Sequence, residues 1–355
     1  MQHHSIAVDW QQEKQRARAS WGRLWRVFLL EHGFIGPQVY MAAVHAVVGV
    51  AVWAAGIGTG SLALMSYAFL VLFDATSLFV DLVPRALEYS ANSAPSVEYA
   101  FGLRVLPTLL EFTNGLSLLY RGIQALKEGV EHLATSSHEH AMAAIEFETY
   151  AHQAPEHNSG TVLASAAALS AVVVTAVSAA RFANHRALWE LCSSGHAATQ
   201  MQNVTLNPFN AASFLVGSWM VYVAVLLPPA KESIVEPISC VLVAVVMAVV
   251  GASACLHLGR HLLHATTRES ADLVRRVVAL VLRVPGVVDC SNVYDWSPAV
   301  GERAGMMRVV VDSGTRSSEP RTGDVSVHKQ IQDILLSHDL GTWTLHICHT
   351  ASTTS

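Results

Sequence analysis

Long stretches without a charge decide what this chain can become. A helix needs about 20 apolar residues to cross roughly 30 Å of hydrocarbon. Thr161–Ala180 and Pro237–Leu258 contain no Asp, Glu, Lys or Arg, and His257 stands at the end of the second. Asn207–Pro229 is a third such run, and Gln38–Gly58 a fourth in which His45 is the one group that titrates near neutrality. Two further segments are imperfect: Ser61–Val83 carries Asp74 and Asp81, and Val105–Leu126 carries Glu111 and Arg121. A backbone with unpaired polar groups cannot sit in lipid, so all six segments are predicted to be helices that span a membrane.

Composition agrees. Of 355 residues, 14% are charged, against about 25% in an ordinary soluble domain, and mean hydropathy is +0.37. Such a chain is not an ordinary cytosolic enzyme, a disordered scaffold or a small disulfide-stapled domain. The five cysteines, Cys192, Cys240, Cys255, Cys290 and Cys348, form no C-x-x-C pair, which argues against a zinc ribbon or disulfide framework. A formal charge of −5 gives no case for binding nucleic acid. No nucleophile–base motif, HExxH or phosphate-binding loop is present, so no enzyme activity is expected.

Lys and Arg set the expected orientation. The first 34 residues, polar and basic, hold Lys14, Arg16, Arg18, Arg23 and Arg26 and are no cleavable signal peptide. Arg85 and Arg104 lie between spans two and three, Arg181 and Arg186 between spans four and five, and ten basic residues follow span six. The opposite side has Lys127 and Lys231, with Arg121 near the end of span three. Both termini are therefore expected in the cytosol. Trp21, Leu24, Trp25 and Phe28 recur at helical spacing in the arm, as in a segment lying on the membrane surface.

The chain then divides into a basic arm (1–34), a six-helix membrane domain (35–262) and a cytosolic tail (263–355). In the tail, Ser270–Arg283 has helical spacing, Val287–Trp296 and Met306–Asp312 read as strands, Val325–Ser337 as a helix and Thr342–His349 as a strand. That order, α-β-β-α-β, predicts a small α+β sandwich. Between spans three and four, 127–160 reads as a loop with His132, His138, His140, His152 and His157 among acidic residues. By the expected orientation it faces the lumen or exterior. Imidazole and carboxylate are competent zinc ligands, and His138-Glu139-His140 is the densest part; a solvated acidic loop is the plain alternative.

Local motifs carry a resemblance. Gly60-Ser61-Leu62-Ala63-Leu64 opens span two, Tyr99-Ala100-Phe101-Gly102-Leu103-Arg104 precedes span three, and Asn114-Gly115 follows. Glu236-Pro237-Ile238 opens span six, and Val284-Pro285-Gly286-Val287-Val288-Asp289 with Trp296-Ser297 opens the tail. In this order they resemble the cation diffusion facilitator family of zinc transporters over about residues 35–350. The resemblance implies a ferredoxin-like tail and Zn²⁺ as the transported ion. In that family two residues four apart on span two, and two on span five, enclose tetrahedral Zn²⁺.

Here span two reads Leu70-Val71-Leu72-Phe73-Asp74, so that Asp74 survives and Leu70 stands where the first ligand belongs. On span five, Phe214 and Ser218 take the matching places, and no Asp, Glu or His follows Asn207. Tyr67–Asp74 and Asn207-Pro208-Phe209 resemble in particular the zinc transporter six branch, non-transporting subunits that pair with a larger active transporter in the early secretory pathway. The resemblance thus implies a silent subunit in the bilayer of the Golgi region, partnered by an active paralogue that holds most of the zinc. In the tail, Tyr294-Asp295-Trp296 stands where the family has His-x-Trp, and Arg308 where it has a further His.

Other readings of the same residues remain. Asp74 is either a remnant ligand or a structural group bonded within the bundle. Asp74, Glu111 and His45 together make an alternative metal or proton site for an active transporter. Zinc held at His138 and His140, or at His346 and Cys348 on one face of the last strand, would make a sensor.

Overall fold

The structure is a computed structural model, and it describes residues 35–84, 105–146, 157–182, 207–226, 229–266, 268–297, 303–312, 322–340 and 342–349, with Leu103, Asn184, His185, Leu188 and Trp189 besides. The basic arm 1–34, the motif before span three apart from Leu103, residues 147–156 and the side chains of His138 and His140 lie outside the described residues. The chain forms two compact units, one ending at Gly259 and one beginning at Arg260.

The first unit is helical. Its elements are α1 (Ile35–Thr59), α2 (Leu62–Val80), α3 (Leu106–Glu146), α4 (His157–Phe182), α5 (Pro208–Leu226) and α6 (Pro229–Leu262). Five of these, α1, α2, α4, α5 and α6, are long and apolar enough to cross a membrane. The expected sixth span falls on α3, where Glu111, Asn114, Arg121 and Lys127 interrupt the apolar sequence. The expected loop 127–160 differs more: α3 continues as helix to Glu146, and α4 begins at His157. Beyond Gly129 the segment has neither Gly nor Pro and is rich in Ala and Glu, which favour helix. Lys127 and Glu131 add an i,i+4 pair at 3.6 Å.

Apolar side chains face outward on most of these helices: Val47, Val50 and Ile57 on α1, Val162, Leu169 and Val173 on α4, and Leu242, Val245 and Val249 on α6. A helix apolar on every side suits a lipid surround. By contrast α2 is enclosed, with Leu64, Tyr67, Leu70, Val71 and Leu78 almost wholly buried. It touches α1, α3, α4 and α5.

The α1–α2 turn explains the Gly60-Ser61 motif. Gly60 takes φ +69°, and the amides of Gly60 and Ser61 return to the carbonyls of Ile57 and Gly56, a helix end that glycine tolerates best. Ser61 then caps α2 by accepting from the Leu64 amide at 3.1 Å. From α6, Glu236 Oε1 accepts from Ser61 Oγ at 3.1 Å and from the Ala63 amide at 3.0 Å. A carboxylate at a helix N-terminus meets its unpaired amides and dipole.

The helices α3 and α6 meet along small residues. Gly115, Gly122 and Gly129 recur seven apart on α3, facing Ala254, Ala248 with Ala244, and Val241. Gly251 of α6 lies against the Leu119 backbone, where an added Cβ would come within 2.6 Å. Close approach of this kind drives helix pairing in lipid, where no hydrophobic gain is available.

The second unit comprises α7 (Arg268–Val281), β1 (Val287–Trp296), β2 (Ala304–Val311), α8 (Thr322–Ser337) and β3 (Trp343–His349). The sheet order is β1-β2-β3. The β1–β2 pair is antiparallel and joins Cys290 to Val309. The β2–β3 pair is parallel, joins Arg308 to His346, and needs the crossover that α8 supplies. Alternation along β2 buries Met307, Val309 and Val311 with Val277 and Val281 of α7 and Ile331 and Leu335 of α8. The other face of the sheet leaves Tyr294, Met306 and Arg308 exposed. Gly305 is required where the Trp343 indole lies on its Cα, since a Cβ there would overlap the ring.

The α3–α6 seam gives a test. Alanine is the better helix former by about 1 kcal/mol, yet at Gly251 its methyl must push two backbones apart. Gly251→Ala is expected to lower stability by about 1–3 kcal/mol. Gly259→Ala, whose nearest neighbour is the Phe112 ring at 3.5 Å, is expected to be neutral or stabilising. Thermal unfolding of the purified protein in detergent distinguishes them.

Candidate functional site

The site is built around Asp74, three turns into α2 and fully buried. A carboxylate in lipid surroundings requires donors. Asp74 Oδ1 is 2.8 Å from Nε2 of His185, also fully buried. His185 lies in the connection between α4 and α5. The neighbouring Asn184 donates to the main-chain carbonyl of Asp74 at 3.3 Å, so consecutive residues grip both the side chain and the backbone of one aspartate.

The connection is itself tied down. Asn207 donates to the carbonyls of Asn184 at 3.3 Å and His185 at 3.1 Å. Asn210 donates to Asn184 O at 3.2 Å. Asn207 Oδ1 also accepts from the Phe209 amide at 3.0 Å, capping α5. The His185 ring stacks on Phe73 at 4.7 Å and 17° and meets Phe209 at 5.8 Å. His185 has φ +60°, a left-handed conformation that His and Asn adopt more readily than most residues. Burial pulls the His185 imidazole down, but the hydrogen bond and charge of Asp74, with Glu111 and Asp81 adding, outweigh it and leave the group above its ordinary value.

A polar layer surrounds this pair. Ser77, one turn beyond Asp74, donates to Glu111 Oε1 of α3 at 2.5 Å. Asn114 of α3 donates to Phe73 O at 3.1 Å. His45 of α1 is 3.4 Å from the Thr175 hydroxyl of α4. Asp74 Oδ2, His185 Nδ1, His45 Nδ1, Glu111 Oε2 and the Tyr67 hydroxyl are buried with no hydrogen-bond partner among the described residues.

Several expectations are changed by this geometry. Phe214 and Ser218 do not face Asp74. Phe214 is 44% exposed, and Ser218 donates back to Phe214 O. Phe209, Asn210, Ser213, Val216 and Met220 are the α5 side chains that turn inward and are buried. The helix starts at Pro208, packing sets its rotation, and the periodicity of an all-apolar helix does not reveal that rotation. On α2 the buried residues four apart are Leu70 and Asp74, and the buried side chains of α5 include no Asp, Glu, His or Cys. The alternative trio is not assembled either: Asp74, Glu111 and His45 each have a separate partner, His185, Ser77 and Thr175. Asp81 forms the C-cap of α2.

His185 is the residue that sequence reasoning missed. Its signal is a histidine and three asparagines, with Asn184 and His185 just after the run Thr161–Ala180 and Asn207 and Asn210 at the start of Asn207–Pro229.

In the tail, Asp295 of the Tyr294-Asp295-Trp296 segment is bonded to Arg303 at 3.1 Å and to Ser270. Its carbonyl accepts from Thr266 at 2.9 Å. Arg308 Nε lies 3.3 Å from Cys348 Sγ, which is 3.3 Å from His346 Nδ1. A guanidinium on the thiol opposes a cation there. Burial, with Asp289 beside it, pushes the Cys290 thiol up to about 11. Among the described residues no three His, Cys, Asp or Glu side chains group to hold a metal ion. His138 and His140 lie on α3, their side chains outside the described set.

Breaking a buried pair by removing one member costs about 3–5 kcal/mol, because the other is left unpaired. Asp74→Ala is expected to destabilise the protein on that scale. The cycle of Asp74→Ala, His185→Gly and the double variant should give a coupling of about 0.5–3 kcal/mol, read from unfolding in detergent.

Comparison with known proteins agrees with this architecture. The family model described as the cation efflux transmembrane domain matches residues 39–269, which takes in α2, α5 and the connection carrying His185. No individual curated protein matches the chain. A match over more than half of the sequence, with apolar helices packed about a buried aspartate, makes this chain a multi-pass membrane protein of the cation efflux, or cation diffusion facilitator, family of metal transporters.

Proposed function

We propose that this chain is a transport-incompetent subunit of a heterodimeric Zn²⁺/H⁺ exchanger, stabilising or modulating an active paralogue that carries the complete site. One observation supports this above the others. Leu70 stands four before Asp74 on α2, the buried side chains of α5 are Phe209, Asn210, Ser213, Val216 and Met220, and the one carboxylate, Asp74, is already bonded to His185. Zinc is held by about four N, O or S ligands. A leucine and a phenylalanine supply none, and a neutral hydroxyl is a poor one.

The rest of the reading follows the family resemblance. The substrate of the complex is Zn²⁺. The helix α3 serves as the sixth span, its Arg121 shielded over the Phe69 ring at 4.7 Å. Both termini are cytosolic, the tail is ferredoxin-like, and the complex belongs in the early secretory or Golgi membrane.

Tagged full-length protein, purified in mild detergent and reconstituted in proteoliposomes, is expected to show no zinc uptake alone. A second transporter with four intact ligands should co-purify, and only the mixture should move zinc. Uptake by the chain alone, abolished by Asp74→Ala, would instead establish an active transporter. Zinc binding without transport and without a partner would establish a sensor.

A further inference from the structure

We infer that His185 is an internal occupant of the transport cleft: its imidazole fills the place beside Asp74 that a cation would need and holds α2 and α5 closed over it. This rests on the silent-subunit reading above and adds a cause to it. The chain would be silent through obstruction as well as through lost ligands.

The geometry is that of a built plug. The imidazole is enclosed on every side, with Asp74 Oδ1 at 2.8 Å, the Phe73 ring stacked on one face and Phe209 tilted against it. Phe209 is one of the inward-facing residues of α5 and Phe73 precedes Asp74 on α2. The ring therefore sits between the two helices whose opposed faces define the cleft. Its backbone is fastened independently: the His185 carbonyl accepts from Asn207 Nδ2 at 3.1 Å and from the Trp189 amide at 2.9 Å. Leu188, three residues along the chain from His185, is buried in the apolar core with Phe73 and Phe209. A left-handed backbone that disfavours side chains persists only where the surroundings over-determine it. Here they do, by bonds to two residues of the α5 start and one of α2. A connection that merely crossed the surface would need none of these.

The experiment reads closure directly. Ser213→Cys is introduced into the full chain in lipid nanodiscs, and N-ethylmaleimide labelling is followed peptide by peptide. Buried Cys240 and half-buried Cys348 serve as slow and faster references. With His185 present, the cysteine at 213 is expected to stay as protected as Cys240. His185→Gly removes the imidazole while accommodating φ +60°. It should raise labelling at 213 roughly tenfold or more, the shift expected from losing a hydrogen bond to a carboxylate. Cys240 should not change, and His185→Gln, which keeps a donor for Asp74, should restore protection. Asn207→Ala, which frees the same connection, is a second route should the glycine variant not fold, and should also raise labelling.

Labelling at 213 as fast as at Cys348 with His185 in place overturns the inference, as does an unchanged rate in either variant. The two readings fail separately. An open cleft in a chain that moves no zinc removes the plug and leaves the silent subunit. A protected cleft in a chain that transports alone removes the silent subunit and leaves His185 as a gate.

Discussion

A carboxylate enclosed in a bundle surrounded by lipid has to find donors inside the protein, and most of the membrane unit is arranged around that need. Asp74 is wholly buried on the most enclosed helix. Its partner is a histidine distant in sequence, brought in by a connection that three asparagines fasten in place. Because unpaired polar groups are costly in a low-dielectric interior, the same logic extends outward. Glu111 has Ser77, His45 has Thr175, and Asn114 takes the Phe73 carbonyl. The result is a polar stratum joining α1 to α5 among helices that are mostly apolar.

Packing around that stratum depends on residues that are small where backbones meet. The seam of Gly115, Gly122 and Gly129 against α6 gains dispersion contact that bulkier side chains would prevent. Gly217 does the same on α5, admitting the Tyr67 ring. The tail obeys the rules of water instead. There a three-stranded sheet buries one face under two amphipathic helices, and Asp295 is paired with Arg303 at a site partly open to solvent.

Much of this was legible in the sequence, and the boundary of legibility has physical reasons. Uncharged runs announced the apolar helices because lipid imposes a length. The β1 strand was readable at Val287–Trp296 because Val284-Pro285-Gly286 marks the turn before it. The rotation of α5 was not readable: with nearly every position apolar, Phe214 and Phe209 look alike, and only packing tells them apart. The continuation of α3 to Glu146 is hidden because its charged and histidine residues resemble a solvated loop although their helix propensity is adequate. His185 escaped because it belongs to no span, and its role exists only once the connection folds back onto α2. Asp74 was recognised as unusual from the cost of its charge, but nothing in its neighbourhood along the chain named its partner.

Glu236 caps the first turn of α2 from the start of α6, across 175 residues of sequence. Early and late helices of the unit are thus stitched together at one end. A chain inserted helix by helix leaves α2 with open amides until α6 arrives, so the α1–α2 hairpin enters the membrane unfinished. A product that stops before α6 lacks the carboxylate that accepts from the Ser61 hydroxyl and the Ala63 amide. The last helix of the unit thus completes the capping of one of the first.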